Sequence, residues 1–257
     1  MRYDYQMINV DGEVVNHGIQ NEKEAGFVLA MYEYLRLCGY PAEKITVLTP
    51  YNGQKELLRS YLREYCRKNP LFGMPSKISA IDKYQGQQND IVLLSLVRTR
   101  SVGYLRDVRR LLVAVSRARL GLYVFGKASL FRECLELQEI MRPLLQRPLM
   151  LQLVENEYYP CERGVDDEVA SFEVQSGEHL SQIAAQYYEI RRQQWEAMQK
   201  EMEVEEANEE EKEGEEEKEK EGKEGKEKEG EEEEETKMEV KETKMEEEDE
   251  TKMEEEE

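Results

Sequence analysis

Short apolar runs alternate with segments of helical periodicity over the first 150 residues, and this alternation constrains the fold more than any other feature of the chain. Residues 45–49 form a β-branched run that ends at Pro50, whereas residues 22–38 carry apolar side chains at helical spacing and precede Gly39. Strands that alternate with helices build a mostly parallel sheet covered on both faces. The sequence therefore predicts an α/β fold whose ligand-binding loops lie beyond the carboxyl ends of the strands.

Composition divides the chain into three parts. We interpret them as a domain over residues 1–150, an irregular segment and C-terminal helix over 151–205, and a disordered Glu/Lys-rich tail over 206–257. Ser176 is the expected cap of the C-terminal helix, because an acid stands in the first turn after it. Strands are expected at residues 5–10, 45–49, 78–81, 91–96 and 122–125, and helices at 22–38, after Pro50, at 107–115 and at 129–135.

The acidity of the chain belongs to its tail. The formal net charge is −21, yet 32 acidic and 10 basic residues fall between positions 201 and 257, which leaves 25 acids and 26 bases for residues 1–200. This balanced part is compatible with a polyanionic partner. The tail repeats Glu-Thr-Lys-Met-Glu and holds too little apolar surface to offset the entropy of folding. We expect a solvated tail, with binding to a basic protein as the alternative.

Cysteine and histidine usage indicates an intracellular protein without a metal site. The four cysteines are far apart and form no Cys-x-x-Cys pair, which favours a reducing compartment. His17 and His179 lack the spacing of metal ligands. The sequence also shows no secretory leader and no apolar run of about 18 residues that could span a bilayer, so no membrane partner is expected.

Two polar segments near strand ends are candidates for chemistry, and each has an ordinary structural alternative. Thr-Pro-Tyr-Asn-Gly-Gln at 49–54 opens a helix whose free backbone N–H groups can hold a phosphate, or it is a plain loop capped by Asn52. Asp-Lys-Tyr-Gln-Gly-Gln-Gln-Asn-Asp at 82–90 surrounds Gly86 with amide side chains, which either bind a ligand or form a polar turn.

A third segment is rich in arginine and contains no lysine. Arginine is suited to bidentate phosphate contacts and to supplying charge to a phosphoryl transition state, whereas the alternative is a solvated basic face. A helix through this segment would place Arg110 and Arg117 on the same side. Seven arginines fall within 22 positions: Arg98, Arg100, Arg106, Arg109, Arg110, Arg117 and Arg119.

In this order the three segments resemble motifs IV, V and VI of the superfamily 1 helicases of the DNA2/NAM7-like group. Motif VI is matched by Arg-Arg-Leu-Leu-Val-Ala-Val-Ser-Arg-Ala-Arg at 109–119, and the resemblance covers residues 3–150. It implies that residues 1–150 form the second RecA-like, P-loop NTPase-type domain of an RNA helicase, the C-terminal part of a longer protein.

The resemblance also implies roles for individual residues. Arg117 matches the arginine finger that contacts the γ-phosphate of ATP held by a first RecA-like domain, which makes it the catalytic candidate. Thr49, Tyr51 and Asn52 match motif IV, which lies near the bound RNA strand. The nucleotide-binding positions implied by the resemblance are Gln85, Gly86, Gln88, Arg98 and Arg117.

Some family features are changed or missing. Gln88 stands where relatives often carry a Glu that reaches the ribose, and Ala80 replaces a hydroxyl residue next to RNA. The chain has no Gly-rich loop ending in Lys-Ser/Thr and no acidic motif after a β-run. ATP and Mg²⁺ are therefore expected to be bound mainly by a first domain outside this sequence, and this chain alone is expected not to hydrolyse ATP.

Two functions follow as hypotheses. The first is the C-terminal domain of an ATP-dependent RNA helicase of pre-mRNA splicing, a nuclear protein whose partners are the pre-mRNA intron and spliceosomal proteins. The second is a non-catalytic RNA- or spliceosome-binding module, a truncated paralogue without ATPase activity. An unrelated α/β nucleotide-binding protein would need a phosphate loop of its own, which this sequence lacks.

Overall fold

The computed structural model describes residues 1–15, 19–161, 167, 169–207 and 212. The chain forms two units, Met1–Gln193 and Gln194–Glu257. Residues 194–207 of the second unit are helical. The disordered tail expected over 206–257 lies, apart from residues 206, 207 and 212, outside the described residues. Among the described residues, no helix combines the length and the apolarity that crossing a membrane requires.

A five-stranded parallel sheet in the order β1-β5-β4-β2-β3 forms the centre of the first unit. Every residue of β2 is buried, because helices cover both faces of the sheet. This arrangement confirms the predicted α/β, RecA-like fold. The strands are β1 (Tyr5–Asn9), β2 (Ile45–Thr49), β3 (Lys77–Ala80), β4 (Asn89–Ser95) and β5 (Ala118–Gly126).

Two hydrophobic clusters lie on opposite faces of this sheet. Alternate side chains of β4 enter different clusters: Leu93 joins the cluster under α1 and α2, whereas Leu94 joins the one under α3, α4 and α5. Gly39 ends α1 with a φ of +90°, as its position after the helical pattern predicts. The helices are α1 (Glu22–Leu37), α2 (Asn52–Tyr65), α3 (Val108–Val115), α4 (Ala128–Arg132) and α5 (Gln138–Leu145).

The interpretation of residues 151–175 as irregular is wrong for residues 151–154 and 171–174. Two short strands, β6 (Leu151–Val154) and β7 (Ser171–Val174), pair antiparallel within this range. They form because Leu151, Leu153 and Val174 are buried, but four-residue strands are too short to give a clear alternating pattern. Ser176 accepts a hydrogen bond from the backbone N–H of His179 at 3.2 Å, which confirms it as the cap of α6 (residues 177–193).

Replacing Leu93 by alanine should lower the free energy of unfolding by about 2–5 kcal/mol, because the side chain is fully buried in the centre of β4. Urea denaturation followed by circular dichroism measures the change. Leu135→Ala is the matched control, since Leu135 is 75% exposed and its removal should change stability by less than about 0.5 kcal/mol. Equal effects of the two substitutions would contradict the assignment of β4 to the core.

Candidate functional site

The predicted site residues collect at two opposite edges of the sheet. Thr49 ends β2 and Arg98 follows β4, so both lie at the edge where the strands end, which we call the carboxyl edge. Arg117 immediately precedes β5 and Gln88 immediately precedes β4, so these two lie at the amino edge. The seven residues of β4 separate the edges by about 20 Å. The expectation that all candidate loops lie beyond carboxyl ends therefore holds for one group and is wrong for the other.

The second group reaches the amino edge because the chain crosses the sheet between β3 and β4. A 3-10 turn, Ile81–Tyr84, carries the backbone away from the end of β3. The Tyr84 hydroxyl then lies 3.3 Å from Thr46 Oγ1, near the start of β2. Gln85, Gly86 and Gln88 follow as an exposed turn. Parallel strands require such a return, and here the return carries motif V.

Gly86 adopts a φ of +76°, a conformation that glycine allows and most side chains disfavour. A Cβ added at this position would meet no atom within 4 Å, so the glycine is required by the backbone conformation and not by crowding. The space over this turn is open. The backbone of motif V is therefore accessible to a ligand.

Arg117 joins motifs V and VI at the amino edge. Its Nη1 donates to the Gln87 carbonyl at 3.2 Å, its Nε to the Val113 carbonyl at 2.7 Å, and its Nη2 to Ser116 Oγ at 2.9 Å. The backbone N–H of Asn89 also donates to the Arg117 carbonyl, at 3.0 Å. The guanidinium is half-buried, and within the described part of the chain no carboxylate forms an ion pair with it.

Arg117 stands outside α3, because the helix ends at Val115 and Ser116 is its cap. The expectation that Arg110 and Arg117 share one helix face is therefore wrong: Arg110 belongs to the first turn, and Arg117 to the turn after the helix. The neighbouring Arg119 differs in its electrostatics, since its guanidinium pairs with Asp90 at 2.6 Å. Two arginines that are equivalent in the sequence pattern thus have different charge environments.

Tyr51 and Arg98 meet at the carboxyl edge. Arg98 Nε donates to the Tyr51 hydroxyl at 3.1 Å, and its guanidinium carbon lies 5.1 Å from the centroid of that ring. Arg98 therefore lies with the motif IV residues and not with Arg117. Asn52 is exposed and is the first residue of α2, while Tyr51 takes the cap position without a side-chain hydrogen bond. The alternative interpretation of Asn52 as a helix cap is wrong.

A buried polar network lies beneath the carboxyl edge, and sequence reasoning missed it. Glu24 Oε1 accepts hydrogen bonds from Ser95 Oγ at 2.6 Å and from the backbone N–H of Val97 at 2.8 Å. Gln54, the last residue of motif IV, donates to Ser95 Oγ at 3.1 Å and accepts from the backbone N–H of Asn21 at 2.8 Å. The network connects α1, α2 and the end of β4. Burial raises the pKa of the Glu24 carboxyl to about 7.

This network holds a strained turn that orients Arg98. Val97 has a φ of +74°, which is unfavourable for a β-branched residue, and the backbone N–H of Arg98 donates to the Leu96 carbonyl at 2.9 Å across it. Glu24 binds the N–H of Val97, and Asn21 Nδ2 donates to its carbonyl at 3.3 Å. Buried side chains thus fix both peptide groups of the turn by hydrogen bonds. The turn directs Arg98 toward Tyr51.

Comparison with known proteins identifies similar chains. Residues 3–129 match the family described as an AAA domain. RNA helicase aquarius of Mus musculus is 48% identical over 195 residues, covering 73% of this chain and 13% of the relative. Pre-mRNA-splicing factor cwf11 of Schizosaccharomyces pombe is 28% identical over 187 residues, covering 70% and 15%. The Schizosaccharomyces pombe helicase required for RNAi-mediated heterochromatin assembly 1 is 42% identical over 113 residues, covering 43% and 11%. The chain thus spans a small part of each relative.

Replacing Glu24 by glutamine should change how stability depends on pH. Because the folded-state pKa is raised to about 7, the native state binds this proton more tightly than the unfolded state, and wild-type stability should fall as pH rises from about 5 to 8. Glu24→Gln removes that contribution. Urea midpoints should therefore decrease less with pH in the variant. Burial also raises the pKa of Glu33 to about 7, but that residue remains in both proteins and its effect cancels. Parallel pH profiles would contradict the assignment.

Proposed function

Because the chain belongs to the superfamily 1 helicases of the DNA2/NAM7-like group, we propose that it acts as the second RecA-like domain of an ATP-dependent RNA helicase in pre-mRNA splicing. The names of two similar proteins, an RNA helicase and a pre-mRNA-splicing factor, support the activity and the process. A nuclear location, the pre-mRNA intron and spliceosomal proteins as partners, and residues 1–150 as the helicase domain belong to the same proposal.

The observation that carries this proposal is the set of hydrogen bonds that the Arg117 side chain makes. Its guanidinium is held by three neutral acceptors, and no carboxylate of the described residues neutralises it. A phosphate oxygen can replace a carbonyl or hydroxyl acceptor and form a stronger, charge-assisted hydrogen bond. The charge of Arg117 therefore remains available for the γ-phosphate of ATP bound to a first RecA-like domain.

The amino edge accordingly forms one half of a nucleotide site. ATP with Mg²⁺, when held by the first domain, would supply the phosphoryl group that is transferred. Arg117 would stabilise the negative charge that develops on the transferring group. The open backbone of Gly86, with Gln85 and Gln88 beside it, would contact the nucleotide. Gln88 offers a hydrogen bond without the charge of a carboxylate.

The carboxyl edge forms the RNA face in this proposal. Asn52 is exposed there, Tyr51 is 8% exposed, and Arg98 adds a cation against the Tyr51 ring. Thr49 is fully buried, so it supports this face without contacting RNA. We assign Arg98 to RNA because the length of β4 separates it from Arg117 by about 20 Å. One domain thus presents RNA contacts and a phosphate-directed arginine on opposite edges.

A non-catalytic RNA-binding module is the alternative, because the contact between Arg98 and the Tyr51 ring at the carboxyl edge serves RNA binding without ATP hydrolysis. The two functions differ in what a supplied first domain does. Joined to the first RecA-like domain of a similar helicase, a helicase domain restores RNA-stimulated ATP hydrolysis, whereas a binding module binds RNA without turnover.

In such a joined protein, Arg117→Ala should lower ATP turnover on the order of 10³-fold or more while RNA affinity stays nearly unchanged, because the arginine acts on the phosphoryl group alone. A coupled ATPase assay and fluorescence anisotropy measure the two quantities. Arg119→Ala is the matched control, since the Arg119 guanidinium is already paired with Asp90. Equal turnover in wild type and Arg117→Ala would remove this residue from the mechanism.

The full chain should bind single-stranded RNA more weakly as the salt concentration rises, because phosphate contacts release counterions. The logarithm of the affinity should fall linearly with the logarithm of the salt concentration. Arg98→Ala should weaken binding and reduce that slope by about 0.7, the loss of one phosphate contact. Arg63→Ala, an exposed arginine in the last turn of α2, is the control and should leave the slope unchanged. An unchanged slope for Arg98→Ala would place the RNA elsewhere.

A further inference from the structure

Four side chains form a row at the carboxyl edge, which we call the Arg–Tyr row: Arg98, Tyr51, Tyr104 and Arg110. The guanidinium carbon of Arg98 lies 5.1 Å from the centroid of the Tyr51 ring. The centroids of Tyr51 and Tyr104 are 6.3 Å apart, and the guanidinium carbon of Arg110 lies 3.5 Å from the centroid of Tyr104. Two aromatic rings are therefore flanked by two cations.

Several contacts fix the second half of this row. Tyr104 belongs to a 3-10 turn, Gly103–Arg106, and its hydroxyl donates to Asp82 Oδ2. Gly103 has a φ of +57°, and a Cβ there would lie 3.3 Å from the Tyr51 hydroxyl and 3.4 Å from Arg98 Nε. The turn therefore packs directly against the motif IV pair. Tyr104 is half-buried, so part of its surface remains exposed to solvent.

The two arginines of the row differ from their neighbours in charge pairing. Arg106 pairs with Glu136 at 2.8 Å, and Arg109 pairs with Asp107 at 3.1 Å. Within the described residues, neither Arg98 nor Arg110 has a carboxylate oxygen within 4.0 Å. A guanidinium held over an aromatic ring keeps its N–H groups available for an anion. The row thus holds two cations whose charge no ion pair neutralises.

Cations that lie beside aromatic rings match the chemistry of a single-stranded nucleic acid, in which each flat base has a phosphate near it. We infer that Tyr104 and Arg110 extend the RNA site of motif IV, with an RNA base against the Tyr104 ring and a phosphate bound by Arg110. This inference rests on the proposed function. It adds two contacts that lie outside motif IV and assigns Arg110 of motif VI to RNA. The adenine of ATP is not the occupant, because the amino edge is about 20 Å away.

The test uses the full chain and a fluorescein-labelled oligouridine, with anisotropy measured at several salt concentrations. Tyr104→Ala weakens binding roughly 5- to 100-fold and leaves the salt slope unchanged, since a stacking contact carries no charge. Tyr104→Phe keeps the ring but loses the hydrogen bond to Asp82, so it retains most of the affinity that Tyr104→Ala loses. Arg110→Ala weakens binding and reduces the slope by about 0.7, the loss of one phosphate contact. Urea denaturation of each variant confirms that the fold is intact.

Arg109→Ala is the matched control, because Arg109 neighbours Arg110 on α3 but is paired with Asp107. It leaves both affinity and slope unchanged. Photo-crosslinking supplies an independent measurement: an oligonucleotide carrying 5-iodouridine crosslinks to Tyr104, as identified by mass spectrometry, and ATP does not compete with it.

Three results would overturn the inference. In the first, Tyr104→Ala and Arg110→Ala both bind RNA with wild-type affinity, whereas Arg98→Ala binds more weakly. Tyr104 and Arg110 are then not part of the RNA site, and the proposed RNA face at motif IV remains. Equal losses in Tyr104→Phe and Tyr104→Ala remove base stacking as the role of the ring. Absence of RNA binding by the wild-type chain at low salt removes the proposed RNA face and the inference together.

Discussion

Parallel pairing of the five strands determines where every candidate residue of this domain can lie. Strands that run in one direction force the chain to return across the sheet between neighbours, so loops before strands and loops after strands separate by the length of a strand, about 20 Å for β4. Motif IV follows β2 and motif V precedes β4. The three motifs are therefore divided between two edges, although they follow one another in the sequence. This geometry excludes a single site that contains all three.

The strand β4 takes part in both edges, and polar contacts fix each of its ends. At the amino edge its first residue, Asn89, donates its backbone N–H to Arg117 and its side chain to Thr46 Oγ1 at 2.9 Å. At the carboxyl edge Ser95 donates to the buried carboxyl of Glu24. A buried carboxyl with a pKa near 7 is expensive unless it is hydrogen-bonded, so its presence here has a specific consequence: it stabilises the strained turn at Val97.

Sequence reasoning located the elements of the sheet better than it located the contacts of the site. The strand over 45–49 was predicted to the residue, because a β-branched run ends at a proline and leaves little freedom in its bounds. Arg117 was identified by resemblance, but its position outside α3 depends on where the helix stops, which arginine-rich periodicity does not reveal. Glu24 is one of two acids in the first turn of α1, a common position for an acid, so the sequence pattern did not mark it as part of a buried network. Tyr104 lies in a short 3-10 turn with no periodicity, so only the three-dimensional contacts reveal its place beside Tyr51.

Helix α3 runs from the Arg–Tyr row toward the amino edge. It begins beside the Arg–Tyr row, where Asp107 caps it by accepting the backbone N–H of Arg109, and it ends at Ser116, whose hydroxyl accepts from Arg117. Its eight residues span about 12 Å as one rigid element with Leu111 and Ala114 in the core. In a helicase with the proposed arrangement, Arg110 in the first turn of this helix would face RNA, and Arg117 would follow its last turn. In the proposed arrangement, one motif would therefore provide both a contact to RNA and the arginine directed at the nucleotide.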